Sequence, residues 1–189
     1  MVSDLSNIKG FLRDFLTLKK LRRTGWQLRG IRECESLADH CFGVALLTMV
    51  IADQVTSHEI DKDLAIRMAL VHELGESRVG DIPFTALKYF PDKAKAELEA
   101  VTDLVEPLGQ AGKRYLDLFE KFEAGNSIEA RFVRAIDKLE MLITARDDER
   151  TGIQSLDDFW NNPSTFQCFV EFPEVESFAR HLAATRKPG

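Results

Sequence analysis

The 189-residue chain is short of several things, and each shortage removes a class of protein. It has three cysteines, Cys34, Cys41 and Cys168. An odd number with no Cys-x-x-Cys pair excludes a disulfide framework and a four-cysteine zinc site. The expectation is free thiols in a cytoplasmic protein. No apolar run approaches the roughly 18–20 residues of a membrane-spanning helix, so no membrane partner is expected. The start, Met1 to Asp4, lacks the basic segment and apolar core of a secretory leader. Basic residues are outnumbered 25 to 31, for a formal charge of −6, and no Lys/Arg block is present. The chain therefore lacks the electrostatic footprint of a nucleic-acid polymer binder, although a small anion in a locally basic pocket stays open. Strand-type alternation, internal repeats and low-complexity segments are also missing.

What is present is helical periodicity in an ordinary globular composition, 44% hydrophobic and 30% charged. The length predicts one domain over 1–189. Ile8, Phe11, Leu12, Phe15 and Leu16 predict an amphipathic helix over 5–21. The stretch from Arg22 to Glu35 has no periodicity and reads as a loop. Ser36 or Asp39 then suits an N-cap ahead of a run from Cys41 to Val55, apolar on most sides as a central helix requires. Asp61 starts another buried helix, with Leu64, Met68, Val71 and His72 on one face and Ile66, Ala69 and Leu70 on the others, broken by the turn Gly80-Asp81-Ile82-Pro83. Helices are predicted over 91–108, 115–124, 127–148 and 175–184, with Asn126 as N-cap and Glu129 completing a capping box. The tail from Lys187 to Gly189 should fray. The fold class is all-α, a compact bundle of about six to eight helices.

Polar residues interrupt three of these apolar helices: Asp39-His40, His72-Glu73 and Asp137, the last between Phe132 and Ile143. An ionised carboxylate near a buried face is costly unless it is paired or bound to metal. A metal held by His40, His72, Glu73 and Asp137 explains all three interruptions. Imidazole with carboxylate suits Mn, Fe, Co, Ni or Zn, whereas carboxylates alone suit Mg or Ca. The plainer alternatives are hydrogen-bonded core histidines, and an Asp137 paired with Arg134 or Lys138 on a solvated face. Glu76 lies four residues after His72, so a continuous helix places both on one face, and a carboxylate there can act as general acid or base. The alternative for Glu76 is a surface pair with Arg78.

In order, the segments Arg23-Thr24-Gly25-Trp26, Glu35 to His40, Ala69 to Glu76, Val79 to Pro83 and Ala135 to Glu140 resemble the HD-domain 5′-deoxynucleotidase family, including its eukaryotic "HD domain-containing protein 2" group. The resemblance spans about residues 5–185. It implies an all-α HD fold, a homodimer, and removal of phosphate from deoxyribonucleoside 5′-monophosphates with little action on ribonucleotides. It implies one divalent metal per site, Mn²⁺ or Co²⁺ favoured, with Zn²⁺, Fe²⁺, Ni²⁺ and Mg²⁺ admitted. By position, His40, His72, Glu73 and Asp137 hold the metal and Glu76 is the acid or base. Asp81 contacts the sugar or positions the attacking water, and Trp26 lies where a 2′-hydroxyl is disfavoured.

Two departures from the family stand out. Glu73 occupies the place of the family's Asp, and its extra methylene moves the oxygens by roughly 1.5 Å. Gly25 stands where bacterial members place a phosphate-contacting Arg, which leaves Arg23 as the substitute and Lys88 as a second candidate. Rival expectations are another nucleotide substrate, triphosphate or cyclic, and a nucleotide-binding protein without turnover.

Overall fold

The structure is a computed structural model that describes residues 6–186. The first four residues read for a leader, Leu5 at the start of the first predicted helix, and the tail from Lys187 lie outside the described residues. Among the described residues the chain is all-α. The helices are α1 (Lys9–Leu18), α2 (Thr24–Gln27), α3 (Leu37–Ala52), α4 (Lys62–Val71), α5 (Glu76–Val79), α6 (Lys93–Val105), α7 (Gln110–Ala124), α8 (Ile128–Arg150), α9 (Asp157–Asn161), α10 (Pro163–Gln167) and α11 (Pro173–Ala184). Three short 3-10 segments and one isolated bridge, Arg22 to Ser36, complete the described structure. The seven helices of ten residues or more fall within the predicted six to eight, and the four short ones are additional.

The chain divides into two units, residues 6–42 with 70–124, and residues 43–69 with 125–186. The first unit packs α1, α5, α6 and α7 around Leu18, Leu37, Leu74, Val101, Leu104, Val105 and Phe119. Each such side chain contributes roughly 1.5–3 kcal/mol when fully buried. In the second unit α8 contacts α9 and α11, and Phe132 meets Phe172 edge-on at 5.3 Å between ring centres. Phe132, Ile136, Leu139 and Leu142 of α8 are completely buried, as their helical spacing predicts.

Local chemistry sets the helix starts. Ser36 caps α3: its Oγ accepts from the amide of Asp39, while the Asp39 carboxylate accepts from the amide and hydroxyl of Ser36. This reciprocal pair is a capping box and holds the Asp39 carboxyl below its usual range, chiefly through the Ser36 amide. Asp61 accepts from the amide of Leu64 at 3.0 Å and so caps α4. At α8 the cap is Ser127, whose hydroxyl accepts from the amide of Ala130, and not Asn126 as the sequence suggests.

Three expectations change. The segment after α1 is not wholly irregular: α2 forms there because Trp26 is buried, 2% exposed, and draws the chain into one turn. The α3 helix is not surrounded by protein. Phe42, Leu46, Met49 and Val50, at helical spacing, are 44–67% exposed and form an apolar stripe on one face. Leu70, expected to be buried, is 55% exposed.

Candidate metal centre

The centre is built where α4 stops. Beyond Val71 the backbone tightens to three-residue turns, with Leu74 N donating to Val71 O at 3.0 Å, Glu76 N to Glu73 O at 3.1 Å and Ser77 N to Leu74 O at 3.2 Å. The predicted continuous helix through His72 and Glu76 is thus interrupted. In such turns side chains three apart eclipse, which aligns Glu76 with Glu73 instead of His72. Gly80, at φ +88°, ends α5 in a backbone conformation that residues with a Cβ rarely adopt.

This turn sets His72 and Glu73 against His40 of α3. Nε2 of the fully buried His40 lies 3.7 Å from Oε1 of Glu73, and Nε2 of His72 lies 3.6 Å from the same atom. The two rings are 5.5 Å apart between centres, and Phe122 packs edge-on against His72. Within these three residues, one ligating atom from each falls within 4.8 Å of the others. The separations exceed hydrogen-bond range but suit a shared cation, because ligands about 2.0–2.2 Å from a metal stand roughly 3–4 Å from one another. Two imidazoles and a carboxylate also match the donor set expected for a first-row divalent ion. The residues present therefore fit a metal.

Around the cluster, Arg23 donates from Nη1 to Glu73 Oε1 at 3.2 Å, and its Nε lies 3.8 Å from Glu35. Its guanidinium carbon stands 5.8 Å from the centre of the Trp26 ring. Asp81 anchors this segment: its carboxylate accepts from the amide of Thr24 at 2.5 Å, and its carbonyl accepts from the Thr24 hydroxyl at 2.8 Å. The segment bearing Arg23 and Trp26 is thereby tied to Asp81, far from it in sequence.

Glu76 is buried, with only 5% of the residue exposed. Its Oε1 accepts from Nζ of Lys93 at 3.1 Å, and its Oε2 is buried with no hydrogen-bond partner among the described residues. Burial, reinforced by the charge of Glu73, pushes the Glu76 carboxyl up to about 9. Lys93 also donates to Glu97. Burial alone would lower the Lys93 ammonium, but the two carboxylates outweigh it and hold the group protonated above its usual range. Arg78, considered from sequence as the Glu76 partner, instead pairs with Asp14 at 2.8 Å.

A protein-family model described as an HD domain matches residues 16–165. The chain is 37% identical over 197 aligned positions to "5′-deoxynucleotidase HDDC2" of Dictyostelium discoideum, covering 97% of this chain and 100% of that protein. It is 32% identical to the Homo sapiens protein of the same name, covering 93% and 84%. Among solved structures, the PH0347 protein of Pyrococcus horikoshii OT3 is similar with a TM-score of 0.78 and 34% identity, covering 94% of this chain and 98% of that one. The chain belongs to the HD domain family.

Within this HD domain most of the expected site residues belong to the first unit. His40, His72 and Glu73 come together, and Arg23, Trp26, Glu76 and Asp81 lie in the same unit. Asp137 belongs to the second unit, on α8, where Lys138 donates to it at 3.0 Å. Lys88 is exposed on a 3-10 turn, its Nζ 4.7 Å above the ring of its neighbour Tyr89. Lys93 and Glu97 were missed in the sequence. Their four-residue spacing on a charged helix is the usual mark of a solvated pair, and nothing local distinguishes this pair from Lys95 and Glu99, which is exposed.

Proposed function

We propose that this HD-domain protein is a metal-dependent 5′-deoxynucleotidase, releasing phosphate from deoxyribonucleoside 5′-monophosphates. The observation that carries the reading is the buried His40–His72–Glu73 cluster with the buried carboxyl of Glu76 alongside, in a chain whose relatives bear the name 5′-deoxynucleotidase. In this reading His40, His72 and Glu73 hold one divalent ion and Asp137 completes the set, with Mn²⁺ or Co²⁺ favoured. When bound, such an ion lowers the pKa of a coordinated water and neutralises phosphoryl charge.

The rest belongs to the chain. Arg23 offers a planar fork of donors suited to a phosphate. Trp26 supports that guanidinium and lines the sugar side. Asp81 fixes the segment bearing both through Thr24, and reaches the sugar or the attacking water. Glu76, whose carboxyl is pushed up by burial and by Glu73, delivers its proton to the departing 5′-oxygen. Lys88 stays a second phosphate contact in the proposal.

A single functional domain over the whole chain fits the family match, which runs through segments of both units. A homodimer fits the exposed apolar stripe of α3 and the exposed Leu12, Phe15 and Leu16 of α1. A cytoplasmic location fits three free cysteines, and among the described residues no helix is long and apolar enough to cross a membrane.

The test is a screen of deoxynucleoside 5′-monophosphates against the matching triphosphates and 3′,5′-cyclic nucleotides, read as product formation. Monophosphates should be turned over at least about tenfold faster than either other class. Preference for a triphosphate or cyclic substrate would replace this reading with another phosphohydrolase activity.

A further inference from the structure

In the Lys93–Glu97 pair Glu97 is buried and Lys93 half-buried, and withdrawing a charge pair from water is costly unless its geometry is used. Lys93 spans two elements. Its Nζ donates across to Glu76 Oε1 on α5 and along its own helix to Glu97. The contact between α5 and α6 is close enough to fix that reach. A Cβ on Gly75, the residue before Glu76, would stand 2.7 Å from the Glu97 Cβ and 3.0 Å from its Cα. Only a glycine allows the α6 backbone so near. Glu97 is itself buried, 6% exposed, so the Lys93 ammonium is held between two carboxyl groups.

The result for Glu76 is asymmetric. One carboxylate oxygen is occupied by Lys93, and the other is buried with no hydrogen-bond partner among the described residues. A carboxyl rotates freely about its last bond unless something distinguishes its oxygens. Lys93 makes that distinction.

Resting on the 5′-deoxynucleotidase reading, we infer that Lys93 is a positioning residue for the reaction: locked by Glu97, it holds Oε1 of Glu76 and thereby presents Oε2 as the atom that exchanges the proton. In this inference Lys93 acts on Glu76 and not directly on substrate or metal. Its role belongs to the outer partners that orient a working group, whose loss generally costs about 10–100-fold in activity. Because it acts on the chemical step, its loss should appear in kcat and not in KM.

The experiment compares wild type, Lys93→Met, Lys93→Arg and Glu97→Gln as full-length, metal-loaded proteins. It measures kcat and KM on dAMP, Mn²⁺ affinity by calorimetry, and thermal midpoint. Lys93→Met should lose about 10–100-fold in kcat with KM and Mn²⁺ affinity within about threefold of wild type. Lys93→Arg should recover most of the rate, since it restores a cation that can reach Oε1. Glu97→Gln, which keeps an acceptor for Lys93 but weakens the lock, should fall between, and it carries the test if Lys93→Met does not fold. Unchanged kcat in Lys93→Met, or a loss confined to KM or to Mn²⁺ affinity, would overturn the inference. So would a Lys93→Arg protein that folds as well as wild type and recovers nothing. Wild-type protein inactive on dAMP in the same assay would instead overturn the nucleotidase reading itself.

Discussion

Glu76→Gln is expected to lower turnover of dAMP by about 10²–10⁴-fold, the usual contribution of a positioned acid or base. Mn²⁺ affinity should stay close to wild type, because Glu76 is not among the atoms that converge with His40 and His72. Gln keeps the shape and can still accept from Lys93, so the loss isolates the proton. The pH dependence carries the sign. Burial and the Glu73 charge raise the Glu76 carboxyl from 4.5 to about 9, so the folded protein retains a proton that the unfolded chain releases. Between those values stability falls as pH rises, because the unfolded state binds fewer protons. Gln removes that penalty. In metal-free protein the thermal midpoint of Glu76→Gln should therefore gain on wild type as pH climbs from about 5 towards 9. In the loaded enzyme the proton donor is lost as pH rises through the Glu76 value, giving kcat a falling alkaline limb. A cation beside Glu73 pulls that limb below 9, because positive charge favours the carboxylate. A Glu76→Gln protein with near-wild-type turnover would remove Glu76 from the mechanism.

The second large effect is at His72. Its imidazole is buried against Phe122, with Nε2 facing Glu73. His72→Ala removes one of three converging ligands, so Mn²⁺ affinity should drop by more than the roughly 10–100-fold that loss of an outer partner costs. Turnover should fall to background at metal concentrations that saturate wild type. Calorimetric titration with Mn²⁺ checks the first statement and phosphate release the second. Retained affinity would move the metal away from the His40–Glu73 cluster.

The all-α class and most long helices were legible because burial follows helical spacing. Phe132, Ile136, Leu139 and Leu142 recur where one face of a 3.6-residue period puts them, and all are buried. A cap at Ser36 or Asp39 ahead of an apolar run was legible too, but the reciprocal pairing of the two was not. The short helix α2 was not, because one buried Trp26 decides it against Thr24 and Gly25, which favour no helix. The exposed stripe on α3 was hidden for a related reason: an apolar residue on the surface looks the same in sequence as one in the core.

The candidate centre divides in the same way. His40, His72 and Glu73 stood out as polar breaks in apolar runs, and the structure draws them together. The geometry of Glu76 was misjudged, because the tightening after Val71 leaves no mark in composition. Lys93 could not be found at all from local pattern. Its importance comes from the approach of α6 to Gly75, a contact between segments that periodicity does not encode.

The most direct test of the central claim is phosphate release by metal-stripped protein from dAMP and from AMP, with Mn²⁺, Co²⁺, Mg²⁺ or Zn²⁺ restored singly. The account predicts no release without metal, and release from dAMP well above AMP on adding Mn²⁺ or Co²⁺. Equal release without added metal, or none from dAMP with any of these ions, would contradict it.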